Sequence, residues 1–348
     1  MPNTSSRTEA TGLTADQVAV NGAEPIAPAV VVVGEALIDL LVDEDPRHPT
    51  AWPGGSPANT AISLARLGTA VAFAGRFGND RFGDLLLANL AANGVDLRHV
   101  VEAAEPTSLA VVTRGPDGAA SYGFHVAGTA DWHWSARELA DLPPGRLAVH
   151  VGSLAVAMEP GAGPLADWFG RQRARCVTSL DPNVRPALVG PRERYRPRLE
   201  ALVASSDIVK VSAEDLAWVY PDEDPLTIAD RWHRDLGPAL VVVTFGADGV
   251  AAVHSGPSVR RRAVQVSVVD TVGAGDAFTG GLLHWLAEHS RLDRARLADL
   301  PADELVRALD FASTTAAIAC TRPGADPPHV GELLTPSHSS NHAVRPIP

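Results

Sequence analysis

The sequence predicts an α/β fold: a central, mostly parallel β-sheet flanked by helices on both faces, with a second, smaller β-sheet beside it. Three observations predict it. Short β-rich runs alternate with segments of helical period from Pro28 to about Leu334. Several of those runs are continuously apolar, as in strands covered on both faces. Two stretches, 37–52 and 108–125, break the alternation with strand pairs and no helix between them.

The elements follow in order. Residues 29–33 form the first strand, and 37–52 read as paired strands around a turn at Asp45-Pro46. Helices are expected over 57–67 and 81–93, with Val71–Ala74 a strand between them and Gly68 and Gly94 at the two helix stops. Residues 108–125 read as strand, turn and strand, the turn being Gly115-Pro116-Asp117-Gly118. Strands at 147–151, 177–180, 208–211 and Leu240–Thr244 then alternate with helices at 163–173 and 213–220. A strand at 264–269 and helices at 274–288 and 303–319 close the chain. Strands and helices alternating at these lengths argue for a parallel sheet. No repeat recurs at a fixed period. One folded domain over 28–334 is expected, with residues 1–27 and 335–348 as disordered tails.

Composition narrows the function classes. With 45% hydrophobic and 20% charged residues, the chain reads as a globular protein. No apolar run approaches the roughly 20 residues that span a bilayer. The N-terminal stretch has no basic start leading into an apolar core, so no signal peptide is expected, and the sequon Asn3-Thr4-Ser5 carries no weight. Cys176 and Cys320 lie far apart without metal-site spacing and read as reduced thiols of a cytoplasmic protein. A net charge of −12 repels nucleic acid from most of the surface. An anionic ligand therefore needs a local nest of backbone N–H groups.

The sharpest chemical feature is Asp270-Thr271-Val272-Gly273-Ala274-Gly275-Asp276-Ala277-Phe278. It follows the expected strand 264–269 and opens an apolar helix. Small residues at Gly273, Ala274 and Gly275 let successive N–H groups converge at a helix N-terminus, where the dipole also favours an anion. A carboxylate inside such a site, Asp276, is placed to take a proton from a hydroxyl attacking a phosphoryl group. A helix cap is the plainer role for it, but two carboxylates bracketing Gly-Ala-Gly make that less favoured. A dinucleotide fingerprint fails because Phe278 stands where a third glycine is needed, and no Gly-Lys-Ser/Thr is present for a P-loop.

Two more runs stand out. In Gly54-Gly55-Ser56-Pro57-Ala58-Asn59, Ser56 and Pro57 suit an N-cap and first helical residue, and Asn59 can bond hydroxyls. In Gly34-Glu35-Ala36-Leu37-Ile38-Asp39, Asp39 is a carboxylate among apolar neighbours, suited to a pair of hydroxyls or to an exposed strand face.

Together these runs resemble the PfkB, or ribokinase-like, carbohydrate kinases over roughly residues 30–330, with both family signatures in order. The resemblance implies an ATP-dependent sugar kinase. Asp276 is then the catalytic base, Gly273, Ala274 and Gly275 the anion hole for the γ-phosphate, and Asp39, Gly55 and Asn59 the sugar-binding positions. Stretches 37–52 and 108–125 match the family's lid, which often carries dimer contacts, so a homodimer through the lid is consistent with it. Thr244-Phe245-Gly246-Ala247-Asp248-Gly249 resembles the turn bordering the nucleotide, which gives Thr244, Gly246 and Gly249 that role. Ser212 and Asp215 fall where the family carries Asn-x-x-Glu, the pair that organises Mg²⁺ through water; either Asp215 reaches it through an extra water or Glu214 substitutes. Asp270 and Thr321-Arg322-Pro323-Gly324-Ala325 resemble loops that hold a monovalent cation, usually K⁺.

The runs at 34–39, Asp181-Pro182-Asn183-Val184-Arg185-Pro186 and Gly128-Thr129-Ala130-Asp131-Trp132 resemble the fructokinase-like branch and its neighbour, 2-keto-3-deoxygluconate kinase. Leu37 stands where ribokinases carry Asn, which disfavours ribose. Arg185 suits phosphate, a sugar acid or a surface ion pair. Fructose or a close ketose is the favoured acceptor. A sugar acid on Arg185, a nucleoside stacked on Trp52 or Phe124, and a non-catalytic sugar sensor are the rivals.

Overall fold

The computed structural model describes residues 27–42, 45–114, 120–143 and 145–334. The two expected tails and the Gly115-Pro116-Asp117-Gly118 turn lie outside the described residues, apart from Ala27. In chain order the strands are β1 (Val30–Val33), β2 (Leu37–Val42), β3 (Thr50–Gly54), β4 (Val71–Ala74), β5 (Arg76–Gly78), β6 (Val101–Ala103), β7 (Leu109–Arg114), β8 (Ala120–His125), β9 (Ala148–Gly152), β10 (Val177–Asp181), β11 (Ile208–Ser212), β12 (Leu240–Thr244), β13 (Val250–Val253) and β14 (Val259–Arg261).

Eight of them make the main sheet in the order β14-β13-β12-β11-β10-β9-β1-β4. It is parallel from β4 to β12, and only the β13–β14 edge runs antiparallel. Its strands are apolar on both sides because both sides are covered. Val30 and Val32 face a core shared with the helices Ser56–Leu67, Ala274–Glu288 and Ala302–Ala319. Val31 and Val33 face the opposite core, with Trp168, Phe169, Leu199, Tyr220 and Trp232. The Ser56–Leu67 helix stops at Gly68, which adopts the left-handed conformation at φ 99°.

The Ala274–Glu288 helix crosses its neighbour closely. A methyl group on Gly280 would lie 2.3 Å from Ser63 Oγ, so only glycine allows this approach. That contact brings the starts of the two helices side by side.

A second sheet has the order β3-β2-β7-β8, as the helix-free stretches suggested. One row of paired residues crosses all four strands: Trp52, Asp39, Ala110 and Phe124. Ala36 leads into β2 and Ser108 into β7. Asp131, fully buried, accepts from the Ala36 N–H at 3.0 Å and also from the Ser108 hydroxyl.

The strand expected at 264–269 is absent. That segment is extended but pairs with no strand, and Val264, Val266, Val268 and Val269 are exposed. Its alternating valines imitate a half-buried strand, yet its terminal N–H groups, those of Val269 and Asp270, reach only the Cys320 carbonyl, at 2.8 and 3.2 Å. Among the described residues, no helix is long and apolar enough to cross a membrane.

Candidate active site

The two signature stretches meet at one cavity of about 1070 Å³. Gly273 caps the Ala274–Glu288 helix in a left-handed conformation, with Ala274 and Gly275 following as the first helical residues, and this places Asp276 in the first turn. Asp276 is 6% exposed. Ser56 Oγ donates to its Oδ1 at 2.6 Å and Asn59 Nδ2 to its Oδ2 at 2.9 Å. Burial pushes the Asp276 pKa above the usual carboxylate range, against the pull of those two donors.

These contacts correct one expectation. Ser56 does not cap its helix. Gly55, at φ 103°, occupies the cap position without a side-chain bond, and Ser56 is the first helical residue. The buried carboxylate of Asp276 is a stronger acceptor for the hydroxyl than any amide is a donor to it. Asn59, expected to meet sugar hydroxyls, lines the cavity but spends a donor on Asp276.

Asp39 lines the same cavity from the small sheet, together with Leu37, Trp52, Ala110 and Phe124. Burial raises its pKa to about 6, with Arg185 opposing and Asp276 adding to the rise. Gly55, Arg185, Asp270, Gly273 and Gly275 also reach the cavity. Arg185 Nη1 donates to Asn183 Oδ1 at 2.6 Å, so this guanidinium is held by its own turn.

Thr244, Gly246 and Gly249 are not brought to this cavity. They sit at and just past the end of β12, where Phe245, Asp248, Val250 and Arg260 help to line a separate depression of about 500 Å³. Asp215 is already engaged: its Oδ1 accepts from Val184 N–H at 2.9 Å, and it forms a capping box with Ser212 on the Ala213–Val219 helix. Glu214 is exposed. Asp270 accepts from the N–H groups of Val272 at 3.0 Å and Gly324 at 2.9 Å, which ties the 321–325 loop to the segment leading into the turn 273–275. Among the described residues no three His, Cys, Asp or Glu side chains are grouped to hold a metal.

Two residues of the cluster, Lys210 and Thr279, were given no role by the sequence reading, and Asp181 entered it only within the run 181–186. Lys210 Nζ lies 2.9 Å from Asp181 Oδ2, and Thr279 Oγ1 donates to that same oxygen at 3.2 Å. The available signal was a lysine inside the apolar run 208–211 and an aspartate ending the run 177–180, both on strands buried on two faces.

Comparison with known proteins bears on the family and the fold. The pfkB family carbohydrate kinase profile matches residues 27–330. A fructokinase from Klebsiella pneumoniae is 36% identical over 296 residues, covering 84% of this chain and 94% of that protein. The ATP-bound fructokinase structure from Xylella fastidiosa superposes with a TM-score of 0.80 at 31% identity, covering 88% of this chain and 96% of its own. A double-mutant fructokinase from Vibrio cholerae O395, solved with fructose, ADP and potassium ion, gives a TM-score of 0.74 at 28% identity, covering 86% and 95%. The profile match and the relatives' coverage run over nearly the whole described chain, and the chain belongs to the pfkB family of carbohydrate kinases, a sugar phosphotransferase.

Proposed function

We propose that this kinase transfers the γ-phosphoryl group of ATP to a primary hydroxyl of fructose or a closely related ketose. The observation that carries the reading is Asp276: a buried carboxylate, held by Ser56 and Asn59, at a helix N-terminus that opens into the cavity walled by Asp39. The fructokinase relatives support the choice of acceptor.

In this reading Asp39 accepts hydrogen bonds from sugar hydroxyls and turns the acceptor towards Asp276. Asp276 takes the proton of the attacking hydroxyl. The N–H groups around Gly273, Ala274 and Gly275 face the charge that builds on the phosphoryl oxygens. Asp215 or Glu214, at the family's positions, would hold through water a Mg²⁺ bound with ATP, which would supply neutralisation of phosphate charge. A monovalent cation such as K⁺ fits the backbone around Asp270 and the 321–325 loop. The small sheet serves as a lid, and Thr244, Gly246 and Gly249 border the nucleotide. A homodimer through that lid remains part of the proposal.

A nucleoside is the second reading, because the aromatic rings of Trp52 and Phe124 both line the cavity. A coupled assay of ATP turnover over ketoses, sugar acids and nucleosides, with and without Mg²⁺ and K⁺, tests both. Fructose giving the highest kcat/KM supports the first reading. A nucleoside or a sugar acid in that place displaces it, and sugar binding without turnover identifies a sensor.

A further inference from the structure

Lys210 on β11 and Asp181 at the end of β10 are 6% and 1% exposed, and they form an ion pair inside the sheet. Two charges taken out of water gain little net stability, since desolvation cancels much of their attraction. Apolar side chains among these valines would serve the core as well. What the pair faces explains it better. A methyl group on Gly275 would lie only 2.8 Å from Lys210 Nζ, so the ammonium comes up directly under the anion-hole turn. Thr279, one turn along the same helix, lies 3.2 Å from the paired oxygen of Asp181 and 3.0 Å from the Gly275 carbonyl oxygen. Asp181 Oδ1 is buried without a protein partner.

We propose that Lys210, paired with Asp181, whose carboxylate Thr279 also holds, is a positioning residue for phosphoryl transfer that fixes a positive charge beneath the turn 273–275 and beside Asp276. The proposal rests on the kinase reading above, but Lys210, Asp181 and Thr279 lie outside both signature stretches. In the transfer, the acceptor oxygen bonds to the γ-phosphorus while the bond from that phosphorus to the bridging oxygen of ADP breaks. The electron pair leaves with ADP and the hydroxyl proton passes to Asp276. Lys210 acts on the phosphoryl charge through the Gly275 backbone, and it favours the ionised Asp276 that can accept the proton.

The charged groups facing Asp276 are Asp39 from the small sheet and Asp181 and Lys210 from the main sheet. Burial opposes the Lys210 charge, yet Asp181, Asp276 and Asp215 together hold its pKa above the ordinary value. His150, beside both members of the pair, is kept neutral at this depth, its pKa pushed down to about 4 chiefly by burial.

The test uses the full chain with Lys210→Met, Lys210→Arg and Asp181→Asn. The Asp276 carboxyl is titrated by NMR without ligands, and the single-turnover rate is followed across pH. A charge a few ångström away moves a carboxyl pKa by about 1–3 units. Lys210→Met should move the Asp276 titration and the acid limb of the rate upward, and Asp181→Asn should move both downward. At neutral pH Lys210→Met should slow transfer by about 10- to 100-fold with the sugar KM unchanged, and Lys210→Arg should restore most of the rate. A folded Lys210→Met enzyme with the parental rate and acid limb overturns the proposal. If that variant does not fold, the downward shift in Asp181→Asn decides alone, and its absence overturns the proposal. A parent enzyme inactive on every sugar sinks the kinase reading, while the titration, which needs no substrate, still decides where the charge acts.

Discussion

Ser56 Oγ lies 2.6 Å from Asp276 Oδ1, although 220 positions separate the two residues. The bond joins the N-termini of two helices and fixes the orientation of a carboxylate whose pKa burial raises and this hydroxyl donor lowers. Asp276→Asn keeps the shape and removes the base, so the single-turnover rate should fall by about 10² to 10⁴ with sugar affinity little changed. Ser56→Ala should cost about 1.5–3 kcal/mol of stabilisation of the ionised form and slow the enzyme most at acid pH. A near-parental rate in folded Asp276→Asn removes the base from the mechanism.

Asp39 supplies a pH dependence of its own. It accepts hydroxyl hydrogens best when ionised, and burial has raised its pKa to about 6. The sugar KM should therefore rise as pH falls through about 6, while the ATP KM stays level. Asp39→Asn should weaken sugar binding and flatten this rise. Initial rates at saturating ATP across pH measure it, and a rise confined to the ATP KM would put the sugar elsewhere.

Asp131 predicts a stability profile. Burial pushes its pKa up to about 7, and neighbouring Glu35 is raised as well. Because the folded pKa lies above the unfolded one, stability is greatest below the unfolded value and is lost as pH rises through about 7. Denaturant melts between pH 4 and 8 should show that decline, and Asp131→Asn should flatten part of it. An unchanged slope in the variant assigns the decline to other groups.

Trp52 offers a reporter of closure. It is 48% exposed, whereas Trp132, Trp134, Trp168, Trp232 and Trp285 are buried. Sugar alone, without nucleotide, should change tryptophan emission in the parent and leave Trp52→Phe silent. The same addition should slow amide exchange in β2, β3, β7 and β8, while Thr244, Gly246 and Gly249 respond mainly to ATP. Exchange unaltered in those four strands at saturating sugar leaves the lid without support.

Gly275→Ala separates packing from electrostatics. The added methyl meets the end of the Lys210 side chain rather than backbone, so the fold should tolerate it. Displacing Nζ should nonetheless slow transfer by about tenfold or more, the effect of one pKa unit at a neighbouring base. Comparing melting temperature with rate in one preparation decides whether the two effects part.

Local signals were legible in the sequence, and distant partnerships were not. The helix Ala274–Glu288 could be placed to the residue because glycines, an acidic first turn and an apolar face are all local. The six parallel strands of the main sheet were readable as buried apolar runs, whereas β13 and β14 at its antiparallel edge were not picked out. The segment 264–269 misled because alternating valines look the same whether or not a neighbouring strand is present. Ser56 misled because its partner is at the far end of the chain. Lys210 and Asp181 pair only because β10 and β11 are adjacent in the sheet, a fact of topology that spacing does not show.

The row Trp52–Asp39–Ala110–Phe124 takes one residue from each of four strands. The sheet's own backbone bonds hold whatever the identity of those side chains. In the proposed reading the turn 273–275 works the other way, since its backbone N–H groups are the working part. On the proposed function, replacements at Trp52, Ala110 or Phe124 alter the acceptor's wall while Asp39, Asp276 and the turn 273–275 are left unchanged. For redesign this makes Ala110, flanked by Asp39 and Phe124, the shortest route to a new acceptor.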